Sequence, residues 1–261
     1  MTRTVVDQLG SIIEVPLSPQ RIISLVPSQT ELLFDLGLGD RVVGITKFCI
    51  HPSDWFKSKT RIGGTKKVSY DTVRSLNPDL IIGNKEENTI EDIELLRTIA
   101  PVWMSDVNSY GEALAMIQSV GEITNTLQLA RRLTDQIEKA FHELESTNER
   151  INLRVRYLIW KDPYFQVGKS TFIDAMITKI GWVNTCNDSR YPEWALTQDG
   201  MDLLLLSSEP YPFKEEDVRH LKEQFPNVKI AIVDGELFSW YGSRMRLAPD
   251  YFKQLIDQFT G

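Results

Sequence analysis

The sequence predicts an α/β fold made of two similar lobes, on three observations. Short apolar runs alternate with helical patterns along the whole chain, the order that layers helices on parallel strands. One segment order then occurs twice. Asn77-Pro78-Asp79-Leu80-Ile81-Ile82 leads through a polar tip into a helix ending at Ile99-Ala100, followed by Pro101-Val102-Trp103-Met104. Gly200-Met201-Asp202-Leu203-Leu204-Leu205 leads through a helix ending at Phe225 into Pro226-Asn227-Val228-Lys229-Ile230. Such self-similarity marks a repeated structural unit. Between the copies, residues 111–150 contain no proline, and Ile123, Leu127, Ala130, Leu133, Ile137, Phe141 and Leu144 recur every three or four positions. That spacing lays one apolar stripe along a charged helix. The expected organisation is an N-terminal lobe over residues 1–110, a helical connector over 111–150 and a C-terminal lobe over 151–261.

The elements follow in order. Val5 to Val15, broken by Gly10-Ser11, reads as an edge hairpin. Ile22 to Val26 is too apolar for a strand with one wet face, and Pro27 cannot continue a central strand. Ser28 with Glu31 three residues on reads as a capping box, so a helix over Thr30 to Leu36 opens at the carboxyl edge of a sheet. In open α/β sheets that edge is where ligands sit. Further strands are expected at Arg41 to Thr46, Leu80 to Gly83, Val102 to Ser105, Val155 to Trp160, Leu203 to Leu206 and Lys229 to Val233. Further helices are expected at Tyr70 to Leu76, Thr89 to Ile99, Thr171 to Ile180, Lys214 to Phe225 and Pro249 to Phe259, with Gly37 and Gly181 as stops. Gly121 and Thr124 break the connector into a short and a long piece, and about 25 helical residues would run on the order of 37 Å.

Composition narrows the function. A chain of 261 residues with 42% hydrophobic and 25% charged side chains buries a large core. A net charge of -7 disfavours nonspecific nucleic-acid binding, while basic loops on an acidic body can still hold an anion. Cys49 and Cys186 are too few for a disulfide scaffold. The opening Met1 to Asp7 lacks the apolar core of a secretory signal, and nothing later reaches the ~18 apolar residues of a membrane span.

Catalytic signatures are missing. Gly168-Lys169-Ser170-Thr171 resembles the end of a phosphate-binding loop, but Pro163 stands where that motif needs glycine. No G-x-G-x-x-G follows a strand and no G-x-S-x-G elbow is present. His142 and His220 lie on charged helices, leaving His51 on a loop. Cys49 and His51 together could supply two soft metal ligands, which falls short of a firm metal site.

Val5-Val6-Asp7 with Leu9-Gly10, then Pro19-Gln20-Arg21-Ile22-Ile23-Ser24-Leu25-Val26-Pro27-Ser28 with Thr30-Glu31-Leu32-Leu33, resembles the opening of the cobalamin-, haem- and ferric-siderophore-binding proteins of ABC importers. Val43-Gly44, Leu76 to Ile81 and the connector continue the likeness in order, as do Gly181-Trp182-Val183-Asn184 and Ser189-Arg190-Tyr191-Pro192. Leu206 to Phe213, Asp234-Gly235-Glu236 and Trp240 to Arg244 extend it to the end. The resemblance implies two Rossmann-like lobes joined by a single long backbone helix, the class III periplasmic-binding-protein arrangement. It also implies an interlobe cleft holding a metal chelate for delivery to an ABC permease, with no bond made or broken and no intrinsic cofactor.

Placed at strand ends, the expected cleft residues of the first lobe are Pro27, Ser28, the loop from Lys47 to His51, Thr65, Lys66, Lys67, Asn84 and Lys85. Those of the second are Trp160, Lys161, Tyr164, Arg190, Tyr191, Glu209, Tyr211, Trp240, Tyr241 and Arg244. Aromatic faces and cations suit a flat chelate with anionic groups. Two positions depart from the family. Its cobalamin binders tend to carry tryptophan where this chain has Thr65, and Lys66 and Lys67 favour an anionic ligand instead. Its members dock the permease through one acidic residue per lobe; Asp71 fits the first, while Gly242 stands near the second. The resemblance places the protein, as a monomer, in the periplasm or cell envelope. A cytoplasmic binding or sensing protein of the same fold is the alternative, and an enzyme on a two-lobed scaffold a more distant one.

Overall fold

The computed structural model describes residues 1–147, 152–197 and 200–260. It divides into two compact units. Unit 1 comprises Met1–Val107, Gly111–Gln136 and Tyr241–Arg244; unit 2 comprises Asn108–Tyr110, Ile137–Trp240 and Met245–Gly261. The end of the expected connector and the start of the expected C-terminal lobe, residues 148–151, lie outside the described residues.

The chain opens with β1 (Thr2–Val6) and β2 (Ile12–Pro16), which pair antiparallel as the expected hairpin. Then follow β3 (Ile22–Ser24), α1 (Pro27–Asp35), β4 (Val42–Ile45), α2 (Ser53–Ser58), β5 (Thr60–Arg61), α3 (Tyr70–Ser75), β6 (Leu80–Asn84), α4 (Ile90–Arg97) and β7 (Val102–Ser105). Helix α5 (Tyr110–Ile123) and helix α6 (Leu127–Thr147) occupy the segment read from sequence as a connector, with the break after Ile123, beside the expected Gly121 and Thr124. A Cβ at Gly121 would stand 2.3 Å from that of Ala130, so glycine permits the two helices to meet there. The remaining elements are β8 (Arg154–Trp160), β9 (Phe165–Gln166), α7 (Phe172–Lys179), β10 (Val183–Asn184), β11 (Leu203–Ser207), α8 (Glu215–Gln224), β12 (Lys229–Val233), α9 (Gly235–Ser239) and α10 (Ala248–Thr260), with a 3-10 turn at Ser243–Arg246.

In unit 1 the strands lie in the order β5-β4-β3-β6-β7, all parallel. Ile22, Ile23 and Ser24 are wholly buried, as a strand covered on both faces requires. Ile23, Leu25, Ile62, Ile81, Ile93, Leu96 and Val102 form one apolar cluster on this sheet. Unit 2 has the order β10-β8-β11-β12, also parallel, with β9 antiparallel to β8. Leu158, Leu204, Leu206, Phe213, Leu221 and Phe225 form a core cluster there. β3 in unit 1 and β8 in unit 2 each have a later strand on either side, which is the topological switch point of an open α/β sheet.

The repeat read from sequence has a structural basis in two aspartates. Asp79 accepts the backbone N–H groups of Gln20 at 2.7 Å and Arg21 at 2.8 Å, and its own N–H donates to the Arg21 carbonyl at 3.0 Å. Asp202 accepts the N–H of Arg154 at 2.9 Å while its N–H donates to the Arg154 carbonyl at 2.8 Å. Each locks the register of two parallel strands, placing Ile22 opposite Leu80 and Val155 opposite Leu203.

One local expectation is corrected. Ser28 and Glu31 form no capping box, because α1 begins at Pro27 with Val26 as an extended N-cap that carries no side-chain cap. Proline at the first turn has its φ preset and no N–H to satisfy, so the helix starts earlier and Ser28 falls inside it. The short α2 and α9 and the two-residue strands β5, β9 and β10 were not read from sequence, since no period can establish itself over so few residues. Asp79→Ala is expected to lower stability by about 1–2 kcal/mol and Asp202→Ala by about 1 kcal/mol, measured by urea unfolding. Asp71→Ala, whose side chain is fully exposed, should leave the midpoint unchanged.

Candidate functional site

Parallel strands end at one edge of each sheet, and the candidate residues gather along those two edges. In unit 1, β3 runs into α1, and Ser28 is buried rather than presented to solvent. The segment Tyr241–Gly242 covers it. Gly242, at φ 121°, sits so close that a Cβ would meet the Ser28 carbonyl at 3.3 Å. The Tyr241 hydroxyl is buried, and burial pushes its pKa well above the ordinary phenol value. Arg244 makes a two-pronged ion pair with Glu31, Nε to Oε2 at 2.8 Å and Nη2 to Oε1 at 2.8 Å. This is the partner that Glu31 takes in place of a capping role.

Beneath the edge lies a polar network. The Gln29 amide donates to Ser105 Oγ at 2.5 Å, and Asn84 Nδ2 donates to the same oxygen at 2.9 Å. Asn88 accepts the Asn84 N–H at 2.9 Å and donates to the Thr65 carbonyl at 2.9 Å, fastening the loop that carries Lys66 and Lys67. Both lysines are exposed. Thr30 Oγ1 and Thr46 Oγ1 lie 3.0 and 3.2 Å from Cys49 Sγ, and burial raises the pKa of that thiol. His51 is half-buried on the following turn. Phe48 and Ile50 are 50% and 45% exposed on the same loop. They were not singled out individually from sequence, although two apolar side chains between Lys47 and His51 on a loop were the available signal.

In unit 2, β8 ends at Trp160, which is 42% exposed and meets Tyr211 edge-on at 5.8 Å between ring centroids. Tyr211 in turn meets Phe213 at 4.8 Å. Lys161 donates to the buried Asp217 at 2.6 Å, and that hydrogen bond raises the lysine pKa. Tyr164 belongs to the core, packed against Trp194 at 6.4 Å, and its burial raises the phenol pKa. Arg190 is exposed, but its Nη1 donates to Asn108 Oδ1 at 2.6 Å and to the Ser170 carbonyl at 3.0 Å, with the guanidinium 5.6 Å from the Tyr191 ring centre. Glu209 Oε1 accepts from Ser239 Oγ at 2.7 Å and from Trp240 Nε1 at 2.9 Å. Its pKa is raised because burial outweighs those two hydrogen bonds.

The candidates thus fall into two kinds. Lys66, Lys67, Trp160 and Arg190 are open to solvent, and His51, Tyr191 and Tyr211 are partly so. Ser28, Tyr164, Trp240 and Tyr241 are buried, while Glu209 and Arg244 are half-buried and tied to protein partners. Asp71 projects fully from the first turn of α3, where it pairs with Arg74 at 3.3 Å. Among the described residues no group of three His, Cys, Asp or Glu side chains could hold a metal ion, and no helix is long and apolar enough to cross a membrane.

Each unit carries a parallel sheet with a switch-point edge of aromatic and polar side chains, the edge at which open α/β sheets bind ligands. The chain belongs to the periplasmic binding protein family, whose model matches residues 22–199. An ABC transporter substrate-binding lipoprotein of Bacillus subtilis is 26% identical over 220 residues, covering 76% of this chain and 69% of the relative. The vitamin B12-binding protein of Pectobacterium carotovorum is 23% identical over 252 residues, covering 93% and 89%. Among solved structures, the petrobactin-binding protein YclQ of Bacillus subtilis superposes with a TM-score of 0.83 at 18% identity, covering 100% of this chain and 99% of that one. The class III periplasmic-binding-protein fold expected from the sequence is the fold found.

The raised pKa of Glu209 has a definite sign in stability. A carboxyl whose folded pKa lies above its unfolded value favours the native state most when protonated, so its contribution is lost as pH rises through the folded pKa. Glu209→Gln keeps an acceptor oxygen for Ser239 and Trp240 while removing the charge. The variant is expected to melt above the wild type near about pH 7, and the two should converge near about pH 4, in melting curves recorded across that range.

Proposed function

We propose that the protein is a non-enzymatic carrier. It binds a metal chelate, a ferric siderophore, haem or corrinoid, at the carboxyl edges of its sheets and presents it to an ABC permease in the cell envelope. Family membership carries this reading. The names of the relatives support it, since vitamin B12 is a cobalt corrinoid and petrobactin an iron chelator. So does the chemistry of the edges: exposed Trp160 with Tyr211, and exposed Phe48, offer faces for a planar or aryl ligand.

In this proposal the open side chains Lys66, Lys67, Trp160, Tyr211, Arg190, Tyr191 and His51 contact the ligand. Ser28, Tyr164, Glu209, Trp240, Tyr241 and Arg244 hold the edges in shape. Asp71, acidic and fully exposed on the first turn of a helix, suits a cationic patch on the permease. The carrier works as a monomer with no resident cofactor and no nucleic-acid partner.

Mixing the pure protein with haem, cyanocobalamin and ferric siderophores tests the reading. At a ligand concentration about a hundred times Kd, binding adds about 2.7 kcal/mol. In a chain of this size that shifts the melting point by roughly 5–10 °C. A shift with at least one chelate, with a change in its visible spectrum, is expected; unchanged melting with all of them would contradict the carrier role.

A further inference from the structure

The cations at the carboxyl edges are not equivalent. Lys85 is paired with Asp106 at 2.6 Å, Lys161 with Asp217 at 2.6 Å and Arg244 with Glu31 at 2.8 Å. Arg190 is bound by Asn108 and Ser170. Lys47, Lys66 and Lys67 are all exposed and make no ion pair among the described residues.

These three lysines are also brought together by rigid backbone. The Lys47 N–H donates to the Gly63 carbonyl at 2.8 Å, and the Gly64 N–H donates to the Lys67 carbonyl at 2.8 Å. Gly63 has φ 109°, and a Cβ there would stand 2.4 Å from the Lys67 carbonyl oxygen, so the turn closes only with glycine. A Cβ at Gly64 would lie 3.2 Å from the Phe48 ring and 3.5 Å from Cε of Lys47, which sets the two side chains against the turn. The Lys47 ammonium lies 5.0 Å from the centre of the half-exposed Phe48 ring. The bond from Asn88 to the Thr65 carbonyl ties the turn to the end of β6. Three like charges that form no ion pair among the described residues are therefore held in one place, with Glu87 the carboxylate whose field reaches the neighbouring Cys49, and an arriving anion relieves their mutual repulsion.

We infer that the ligand is a metal chelate of net negative charge, met by Lys47, Lys66 and Lys67 with an aryl face against Phe48, and not a neutral corrinoid. This rests on the carrier reading above and narrows it. The shared chemistry is anionic oxygen on a flat or aryl chelate, which a tris-catecholate iron(III) complex and the carboxylates of haemin both supply. A neutral ligand gains nothing from the lysine turn, and a cationic one is repelled by it.

Quenching of tryptophan fluorescence in the full chain tests this with four probes: tris-catecholate iron(III), haemin, cyanocobalamin and a cationic ferric trihydroxamate. One of the two anionic probes should bind at least about tenfold more tightly than either of the others, and which one does so separates the two sources. Its Kd should rise with salt, as expected of screened surface charges. Lys47→Gln, Lys66→Gln and Lys67→Gln should each weaken it about two- to fivefold, with Lys→Arg retaining affinity. Tighter binding of cyanocobalamin or the trihydroxamate overturns the inference while leaving the carrier role intact. An unchanged Kd for the anionic probe in the triple Gln variant also overturns it alone. Failure of every probe overturns the carrier role itself, and the inference with it.

Discussion

Parallel strand pairing is the constraint on which the rest of the structure depends. A parallel neighbour cannot be reached by a tight turn, so each strand must be followed by a crossover, here mostly a helix, before the next begins. All carboxyl ends then fall on one edge of the sheet, and the loops that leave them are short, local and close together. β3, β4 and β6 in unit 1 and β8 and β11 in unit 2 obey this, and every exposed candidate except Asp71, Arg190 and Tyr191 follows such an end directly or on a loop bonded to it. The two aspartates that fasten the opposite, amino ends keep the registers from slipping, so the edge loops are built on fixed points.

An edge of this kind has polar groups to satisfy before it can bind anything. Unit 1 does so with side-chain amides and hydroxyls, Asn84, Asn88, Ser105, Thr30 and Thr46, all buried and hydrogen bonded, and with the Gln29 amide nitrogen donating to Ser105. Unit 2 uses Glu209 as the acceptor for Ser239 and Trp240, which leaves a carboxyl in a place that disfavours its charge. Satisfied networks rigidify what lies above them. The consequence is a division of labour between buried groups that set geometry and open groups that face solvent, among them Lys47, Lys66 and Lys67, which are exposed.

Much of this was legible in the sequence because it rests on periodic or repeated patterns. The apolar strands, the helices and the repeated segment order all followed from local order, while the register-locking bonds of Asp79 and Asp202 inside that repeat came only with the structure. What failed to show was pairing across long sequence distance. Glu31 stands three residues after Ser28 and invites a capping box, yet its partner is Arg244, which no local rule connects to it. Tyr164 sits after a strand end like the exposed residues, but it turns inward onto Trp194. A residue type at a strand end identifies a neighbourhood; whether the side chain is open or buried is decided by packing partners far along the chain.

On the carrier reading, ligand is held by the strand-end loops. Hydrogen exchange of the full chain, compared with and without saturating tris-catecholate iron(III) or haemin, whichever binds, addresses it most directly. Slowed exchange is expected in residues 46–51, 63–68 and 84–88 of unit 1 and in 160–161 and 207–213 of unit 2, with the hairpin of β1 and β2 unchanged. Protection confined to that hairpin or to the faces of α8 and α10, with the strand-end loops exchanging as before, would contradict the account.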